Sequence, residues 1–301
     1  MSASVISGTR LAEEIRAEVA EGVEEMRTKH DVVPGLAVVL VGDDPASAVY
    51  VRNKGLAAEA AGMFSESVML PATASMDEVL GEVHRINEDS RIHGLLVQLP
   101  LPDHLDENTV MESILPEKDV DGLHPFNMGL LAAGRPRFVP ATPAGIQQMI
   151  VRTGIGTEGK HVVVLGRSNI VGKPIANLLM QRASDANSTV TVCHTRTRDL
   201  ETLTRQADII IAAIGRARYL TADMVSDGVV VIDVGINRID APERRRGYRL
   251  VGDVDYDAVK EKASAITPVP GGVGPMTIAM LLNNTLKSAR LFIHPELREQ
   301  N

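Results

Sequence analysis

His161-Val-Val-Val-Leu-Gly166-Arg-Ser-Asn-Ile-Val-Gly172-Lys-Pro174 opens the second half of this 301-residue chain, and a helical run from Ile175 to Gln181 follows it. The β-branched run ending at Leu165 reads as a buried strand, and the Gly-bracketed stretch reads as a turn into a helix. Strand, turn and helix in that order make the geometry in which backbone N–H groups and a helix N-terminus receive a phosphate. The spacing is Gly-x-Ser-x-x-x-Gly, which departs from the Gly-x-Gly-x-x-Gly fingerprint. A βα turn that needs glycine only for its own backbone therefore accounts for the loop as well as a phosphate does.

Downstream, Thr189–Cys193, Asp208–Ile214 and Val229–Ile232 are three further β-rich runs separated by helix-sized gaps, a doubly wound nucleotide-binding pattern. The strand after the glycine turn ends Cys193-His-Thr-Arg-Thr-Arg198, with no acid before Asp199. An NAD site places Asp or Glu there for the ribose 2′-hydroxyl, whereas hydroxyl and guanidinium groups suit a 2′-phosphate, which predicts NADP over NAD. The alternative is that Arg196 and Arg198 form a solvated helix start.

Upstream lies another α/β alternation. Leu11 to Met26 has helical periodicity, Gly35–Val41 reads as a buried strand, and Asp44-Pro45 opens a helix as cap and first residue. Phe64–Leu70 is strand-like, Ser75-x-x-Glu78 is a capping box, and Gly94–Val97 is another buried strand. Between Pro116 and Pro143 the pattern breaks, and HPFNMG and GRPRFVPATP read as connecting loops. Pro268 to Pro275 is a Pro/Gly loop feeding an amphipathic helix over Met276–Leu291 that could cap either lobe. The fold class is α/β in two lobes: an N-terminal α/β lobe and a Rossmann-like doubly wound lobe.

Composition narrows the function. A charge of −8 disfavours nucleic acid or an anionic membrane as partner, and four Phe, four Tyr and no Trp leave little for base stacking. A single cysteine, Cys193, permits no internal disulfide and suits a reducing compartment. Charges fall where a signal peptide needs its apolar core, and no run reaches the length of a membrane span, so a cytoplasmic protein is expected.

Candidate chemistry concentrates in the first lobe. Tyr50 and Lys54 stand four apart on the helix that Pro45 begins, so phenol and ammonium share a face and could share a ligand, or decorate the surface. Tyr-x-x-x-Lys is also the pair of short-chain dehydrogenases, but there the glycine loop precedes the pair, and here the order is reversed. Gln98 ends a buried strand at the edge where open α/β sheets hold ligands, or it steadies its own loop. Asp119 and Asp121 in Lys118-Asp-Val-Asp-Gly122 read as turn-forming acids more readily than as metal ligands, since no His or third carboxylate has fitting spacing. No His pair has metal-ligand spacing, and no metal is expected. Cys193 reads as a packing residue, and Arg244-Arg-Arg246 as a solvated hairpin.

YVRNK, LLVQLPLP, KDVDGLHPFN, ATPAG, GRSNIVGKP, TVCHTRT, DVGIN, LVGDVD and PVPGGVGPMT occur in this order from Tyr50 to Thr277. Together they closely resemble the bifunctional methylenetetrahydrofolate dehydrogenase/methenyltetrahydrofolate cyclohydrolase family. The resemblance implies a folate-binding catalytic domain over residues 1–138 plus 277–301, to which the last helix returns, and an NADP-binding domain over 139–276. It implies NADP-dependent oxidation of 5,10-methylenetetrahydrofolate and hydrolysis of the methenyl product to 10-formyltetrahydrofolate in one shared cleft. A cytoplasmic homodimer serving one-carbon metabolism and purine biosynthesis is implied too. By the same likeness Lys54 is the general acid/base, Gln98 orients it, Tyr50 stacks on or hydrogen-bonds to the folate, and Asp121 grips the pterin amino and ring N–H groups. Gly166, Arg167, Ser168, Gly172, His194, Thr195, Arg196, Gly235 and Ile236 are implied to bind NADP. Pro270, Gly271 and Gly272 are implied at the substrate, with Gly271, Gly272 and Pro275 letting backbone approach the ligand.

One departure is visible: Ala141 stands in Pro140-Ala-Thr-Pro143 where many relatives have Cys, so no thiol acts there. Two rival readings remain: a dehydrogenase without the hydrolytic step, and a non-catalytic dinucleotide sensor. Retention of Lys54, Gln98 and Asp121 argues against both.

Overall fold

A computed structural model describes residues 3–244 and 247–294. Along the chain lie β1 (Ser4–Val5), α1 (Gly8–His30), β2 (Gly35–Val41), α2 (Pro45–Ala60), β3 (Phe64–Leu70), α3 (Met76–Glu88), β4 (Gly94–Val97), α4 (Glu107–Ser113), α5 (Pro125–Ala132) and α6 (Ala141–Arg152). They are followed by β5 (His161–Leu165), α7 (Gly172–Leu179), β6 (Thr189–Cys193), α8 (Leu200–Arg205), β7 (Ile209–Ala212), β8 (Val230–Asp233), β9 (Asn237–Asp240), β10 (Tyr248–Val251), α9 (Tyr256–Val259), β11 (Ala265–Ile266) and α10 (Val273–Ile293). Two units emerge, one comprising Glu13–Ala141 with the chain from Ile278 on, the other the chain up to Ala12 with Thr142–Thr277.

In the first unit β2 lies between β3 and β4, parallel to both. All seven residues of β2 are buried, as a strand covered on both faces requires, whereas the edge strand β3 is largely open. Asp44 caps α2 by accepting from Ser47 N at 2.7 Å, with Pro45 at the first turn, and Ser75 and Glu78 form the expected capping box on α3. Val39, Val83, Ile86, Leu95 and Ile114 are fully or almost fully buried in the core between these helices and the sheet. The last helix belongs here from Ile278 on: Asn284 Nδ2 donates to Val120 O and Val139 O at 2.8 and 2.9 Å, and Ser288 Oγ donates to His93 O at 2.6 Å.

The second unit carries a six-stranded sheet in the order β1-β11-β8-β7-β5-β6, every neighbouring pair parallel. Within it β5 is the topological switch point, with β6 on one side and β7 on the other, so the crevice of an open α/β sheet opens at the C-terminal ends of these three strands. β9 and β10 pair antiparallel as a separate hairpin. Arg244 lies in its turn, while Arg245 and Arg246 lie outside the described residues.

Differences from the sequence reading have simple causes; the last three residues of GRPRFVPATP, for one, already form the first turn of α6. HPFNMG is not a loop, because Pro125 occupies the first turn of α5 and the His124 side chain caps it by accepting from Phe126 N at 3.0 Å. Ser4 and Val5, read with the first lobe, pair with Ala265 and Ile266 in the six-stranded sheet. Two residues give no periodicity to read.

Candidate functional site

Lys54 is three turns into α2, half-buried, and Tyr50 stands one turn before it, 42% exposed. Gln98 continues the line of β4: its backbone N donates to Val39 O at 2.8 Å, which holds it at the strand's C-terminal edge. From there Gln98 Oε1 accepts from Lys54 Nζ at 2.9 Å, and Gln98 Nε2 is anchored on Leu99 O at 2.7 Å. The amide therefore cannot rotate without losing both bonds.

Asp119 and Asp121 play different parts. Leu95 and Asp119 form a parallel bridge beside β4, and Asp119 is fully buried. Its carboxylate accepts from Leu123 N, His124 N and Asn127 Nδ2 at 3.2, 2.8 and 2.8 Å, which fixes the loop. This is the turn-forming role. Asp121 sits on that loop beside Gly122, whose φ of +73° suits glycine and whose Cβ, if it had one, would lie 2.8 Å from Pro140 N. Among the described residues no protein group hydrogen-bonds to the Asp121 carboxylate, whose electrostatic neighbours are Lys54 and Asp119.

Burial lowers the Lys54 ammonium from its ordinary range, an effect the Asp121 charge opposes. Burial likewise raises Asp121, opposed by Lys54 and reinforced by Asp119. An amine pushed toward neutrality, hydrogen-bonded to a fixed amide and electrostatically coupled to an uncommitted carboxylate, can both take and return a proton.

The nucleotide-loop residues gather at the switch point. A cavity of about 340 Å³ is lined by Gly166, Arg167 and Ser168 after β5, His194 and Thr195 after β6, and Ala213, Ile214, Arg216 and Tyr219 after β7, among others. Gly166 has φ +120°, and a Cβ on it would lie 2.1 Å from Ala213 O; one on Gly172 would lie 2.3 Å from Gly166 O. These close crossings leave no room for side chains. Ser168 Oγ accepts from Val171 N and Gly172 N at the start of α7. Arg167 and Thr195 are exposed, so a backbone cradle, a guanidinium and a hydroxyl are presented together, which fits a phosphate-bearing nucleotide. Arg196 is exposed but is not part of this lining; its backbone N donates to His194 Nδ1. Cys193 is buried at the strand end, and burial raises its thiol, which removes it as a nucleophile.

Gly235 and Ile236 also lie apart from that lining. Ile236 is exposed near Gly274 at the start of α10, and Gly235 packs on Asp253. Pro270, Gly271 and Gly272 belong to the same unit as the nucleotide loop, not to that of Lys54. Gly271 O accepts from Thr9 N at 3.0 Å, and a Cβ on Gly272 would lie 2.4 Å from Pro268 O. The loop's own turn and its contact with the start of α1 thus already require these glycines. Among the described residues no group of three or more His, Cys, Asp or Glu is placed to hold a metal ion.

A family model for the tetrahydrofolate dehydrogenase/cyclohydrolase catalytic domain matches residues 6–121, and one for the NAD(P)-binding domain of the same enzymes matches residues 140–292. The chain belongs to the tetrahydrofolate dehydrogenase/cyclohydrolase family. The bifunctional protein FolD of Chloroherpeton thalassium is 55% identical over 291 residues, 96% of this chain and 99% of that protein. A second FolD, from Syntrophus aciditrophicus, is 54% identical over 291 residues, covering 97% and 99%. Among solved structures, the FolD methylenetetrahydrofolate dehydrogenase/cyclohydrolase of Campylobacter jejuni superposes with a TM-score of 0.90 at 46% identity, over 96% of this chain and 99% of that one. The Trypanosoma brucei enzyme, solved with NADP and an inhibitor, gives 0.92 at 39% identity over 97% and 99%.

As a member of this family the chain is a bifunctional dehydrogenase and cyclohydrolase of one-carbon folate metabolism with an NAD(P)-binding domain. Residue reading missed several parts of the site. Ala213, Ile214, Arg216 and Tyr219 carry no motif and reach the nucleotide cavity only because β7 lies beside β5.

Proposed function

We propose that Lys54 moves the proton in the hydrolysis of 5,10-methenyltetrahydrofolate to 10-formyltetrahydrofolate, with Gln98 holding it in place and Asp121 gripping the pterin. The 2.9 Å Lys54–Gln98 hydrogen bond, made by an amine that burial pushes toward neutrality, carries this reading. The neutral amine takes a proton as water adds to the cationic one-carbon bridge. The resulting ammonium returns a proton to N5 as the C–N5 bond opens, and the hydroxyl proton leaves with solvent. Two oxygens of Asp121 match a donor pair of amino and ring N–H groups, and exposed Tyr50, on the face of α2 that carries Lys54, packs on the folate. The same folate site serves the oxidation, where the protein's task is to fix the one-carbon bridge at reacting distance. When bound, the oxidised nicotinamide supplies the hydride acceptor.

For the nucleotide we propose NADP over NAD. Arg167, Ser168, His194 and Thr195 would hold phosphate and ribose at the switch-point cavity, Arg196, next in the same loop, would meet a 2′-phosphate, and no acid precedes Asp199 in that loop. Gly235, Ile236 and Pro270–Gly272 complete the ligand contacts. Further expectations are a homodimer in the cytoplasm whose product feeds purine biosynthesis. Among the described residues no helix is long and apolar enough to cross a membrane.

Incubating the pure protein with methenyltetrahydrofolate and no nucleotide tests the hydrolytic assignment. Accelerated decay of the substrate absorbance is expected. Decay at the buffer rate would leave a dehydrogenase alone.

A further inference from the structure

DVGIN and VGDVD meet in a buried cluster beneath the nucleotide cavity, and its two carboxylates, Asp233 and Asp253, touch neither folate nor nucleotide in the proposed function. Asp253 is completely buried. Its Oδ2 accepts from Ile214 N and Gly215 N at 2.6 and 2.8 Å, and its Oδ1 accepts from Asn237 Nδ2 at 2.9 Å. Asp233 in turn accepts from Gly235 N, Asp253 N and Val254 N at 3.0, 2.9 and 3.0 Å, and its own N–H is held by Thr267 Oγ1 at 2.7 Å. The two glycines are what let these carboxylates fit: a Cβ on Gly235 would lie 2.3 Å from Asp253 Oδ1, and one on Gly252 1.8 Å from Asp233 Oδ2.

The N–H groups that Asp253 grips belong to the turn after β7, and that turn is a wall of the nucleotide cavity: Ala213 and Ile214 line it, and the Ala213 carbonyl sits where Gly166 must lack a side chain. Displacing this turn by a few tenths of an ångström would press the Ala213 carbonyl against the glycine loop or withdraw the wall from it. At its other end the carboxylate holds Asn237 at the root of the β9–β10 hairpin.

We propose that Asp253 is a positioning residue for the dinucleotide: its carboxylate fixes the Ala213–Gly215 turn against the Gly166 loop and so sets the shape of the nucleotide site. The inference rests on the reading of the switch-point cavity as that site.

The polarity of the hydrogen bonds makes the test specific. All three donors to Asp253 are N–H groups, so Asp253→Asn is nearly isosteric yet turns one acceptor into a donor facing a donor. In the double variant Asp253→Asn with Asn237→Asp, the new amide donates to the new carboxylate while its remaining oxygen accepts from Ile214 and Gly215, and the charge is unchanged. Kd and KM for NADP+, kcat at saturating nucleotide, and nucleotide-free cyclohydrolase activity are measured for the parent, both variants and Arg167→Glu. The single variant should raise Kd and KM at least about tenfold, the scale of one lost charge-assisted hydrogen bond. Saturating kcat and cyclohydrolase activity should hold, and the double variant should recover most of the affinity. Unchanged affinity in the single variant overturns the proposal, as does a loss that strikes cyclohydrolase equally or that the double variant does not repair. Arg167→Glu separates the two readings: if this exposed charge reversal leaves NADP+ binding untouched, the cavity is not the nucleotide site and the fault lies there.

Discussion

Lys54 Nζ and Gln98 Oε1 lie 2.9 Å apart, a hydrogen bond between the middle of a helix and the end of a strand 44 positions later. The amine accordingly has one fixed neighbour, the amide, and one electrostatic neighbour, Asp121. Its proton affinity is set by burial against that carboxylate's charge, not by an ion pair at hydrogen-bond distance.

Lys54→Met should abolish catalysed hydrolysis of methenyltetrahydrofolate, a loss of about 10²–10⁴-fold for removing a positioned acid/base. NADP+ affinity should be unchanged, because the residue belongs to the unit that does not carry the glycine loop. Stopped assays and equilibrium nucleotide binding on one preparation check both halves. A matching fall in NADP+ affinity contradicts the division of labour.

The pH dependence of Lys54 has a definite sign. Burial favours the neutral amine, so its titration falls below the ordinary value of 10.5, and the cyclohydrolase rate should rise with pH through an inflection below that value. The Asp121 charge pulls the other way, so Asp121→Asn should move the Lys54 titration still lower. Competitive acetylation of the ligand-free protein across pH reads this directly. A shift upward in the variant would remove Asp121 from the account.

Arg196→Ala should lower the ratio of kcat/KM for NADP to that for NAD about tenfold, mainly through KM for NADP, as expected for one guanidinium contact to a phosphate. A ratio that does not move assigns the discrimination to His194 and Thr195, which line the cavity itself.

His93 makes the first unit acid-sensitive. It is 4% exposed, its Nδ1 accepts from Gly35 N at 3.1 Å, and burial, with the Lys118 charge, lowers its pKa from 6.5 to about 4. The unfolded chain binds the proton more readily than the folded one between those values, so stability is complete above about pH 6.5 and falls as pH drops toward 4, by up to about 3 kcal/mol. Urea melts at pH 7 and pH 5 measure the difference. His93→Asn, whose Oδ1 still accepts from Gly35, should flatten it.

Much of this protein was legible before any fold was known. Gly35–Val41, Phe64–Leu70, Gly94–Val97, His161–Leu165 and Thr189–Cys193 form strands with the boundaries expected of them, because each is an apolar or β-branched run between strong punctuation. HPFNMG reads as a loop because Pro and Asn favour loops, yet Pro125 begins a helix there. Ser4–Val5 and Ala265–Ile266 were invisible because two residues have no period, and each forms a strand only by pairing with distant chain.

The order of the motifs settled the family, and residue type settled which side chains could do acid–base or phosphate chemistry; both are properties of the chain alone. Tertiary structure decided which acid is which. Asp119 and Asp121 are two positions apart in one loop, yet one meets three N–H donors while the other meets none and is coupled to Lys54. Likewise Asp253 gains its role only because the turn after β7 comes to lie above it. A carboxylate's function depends on which donors and charges surround it, and those arrive from residues that no local spacing relates.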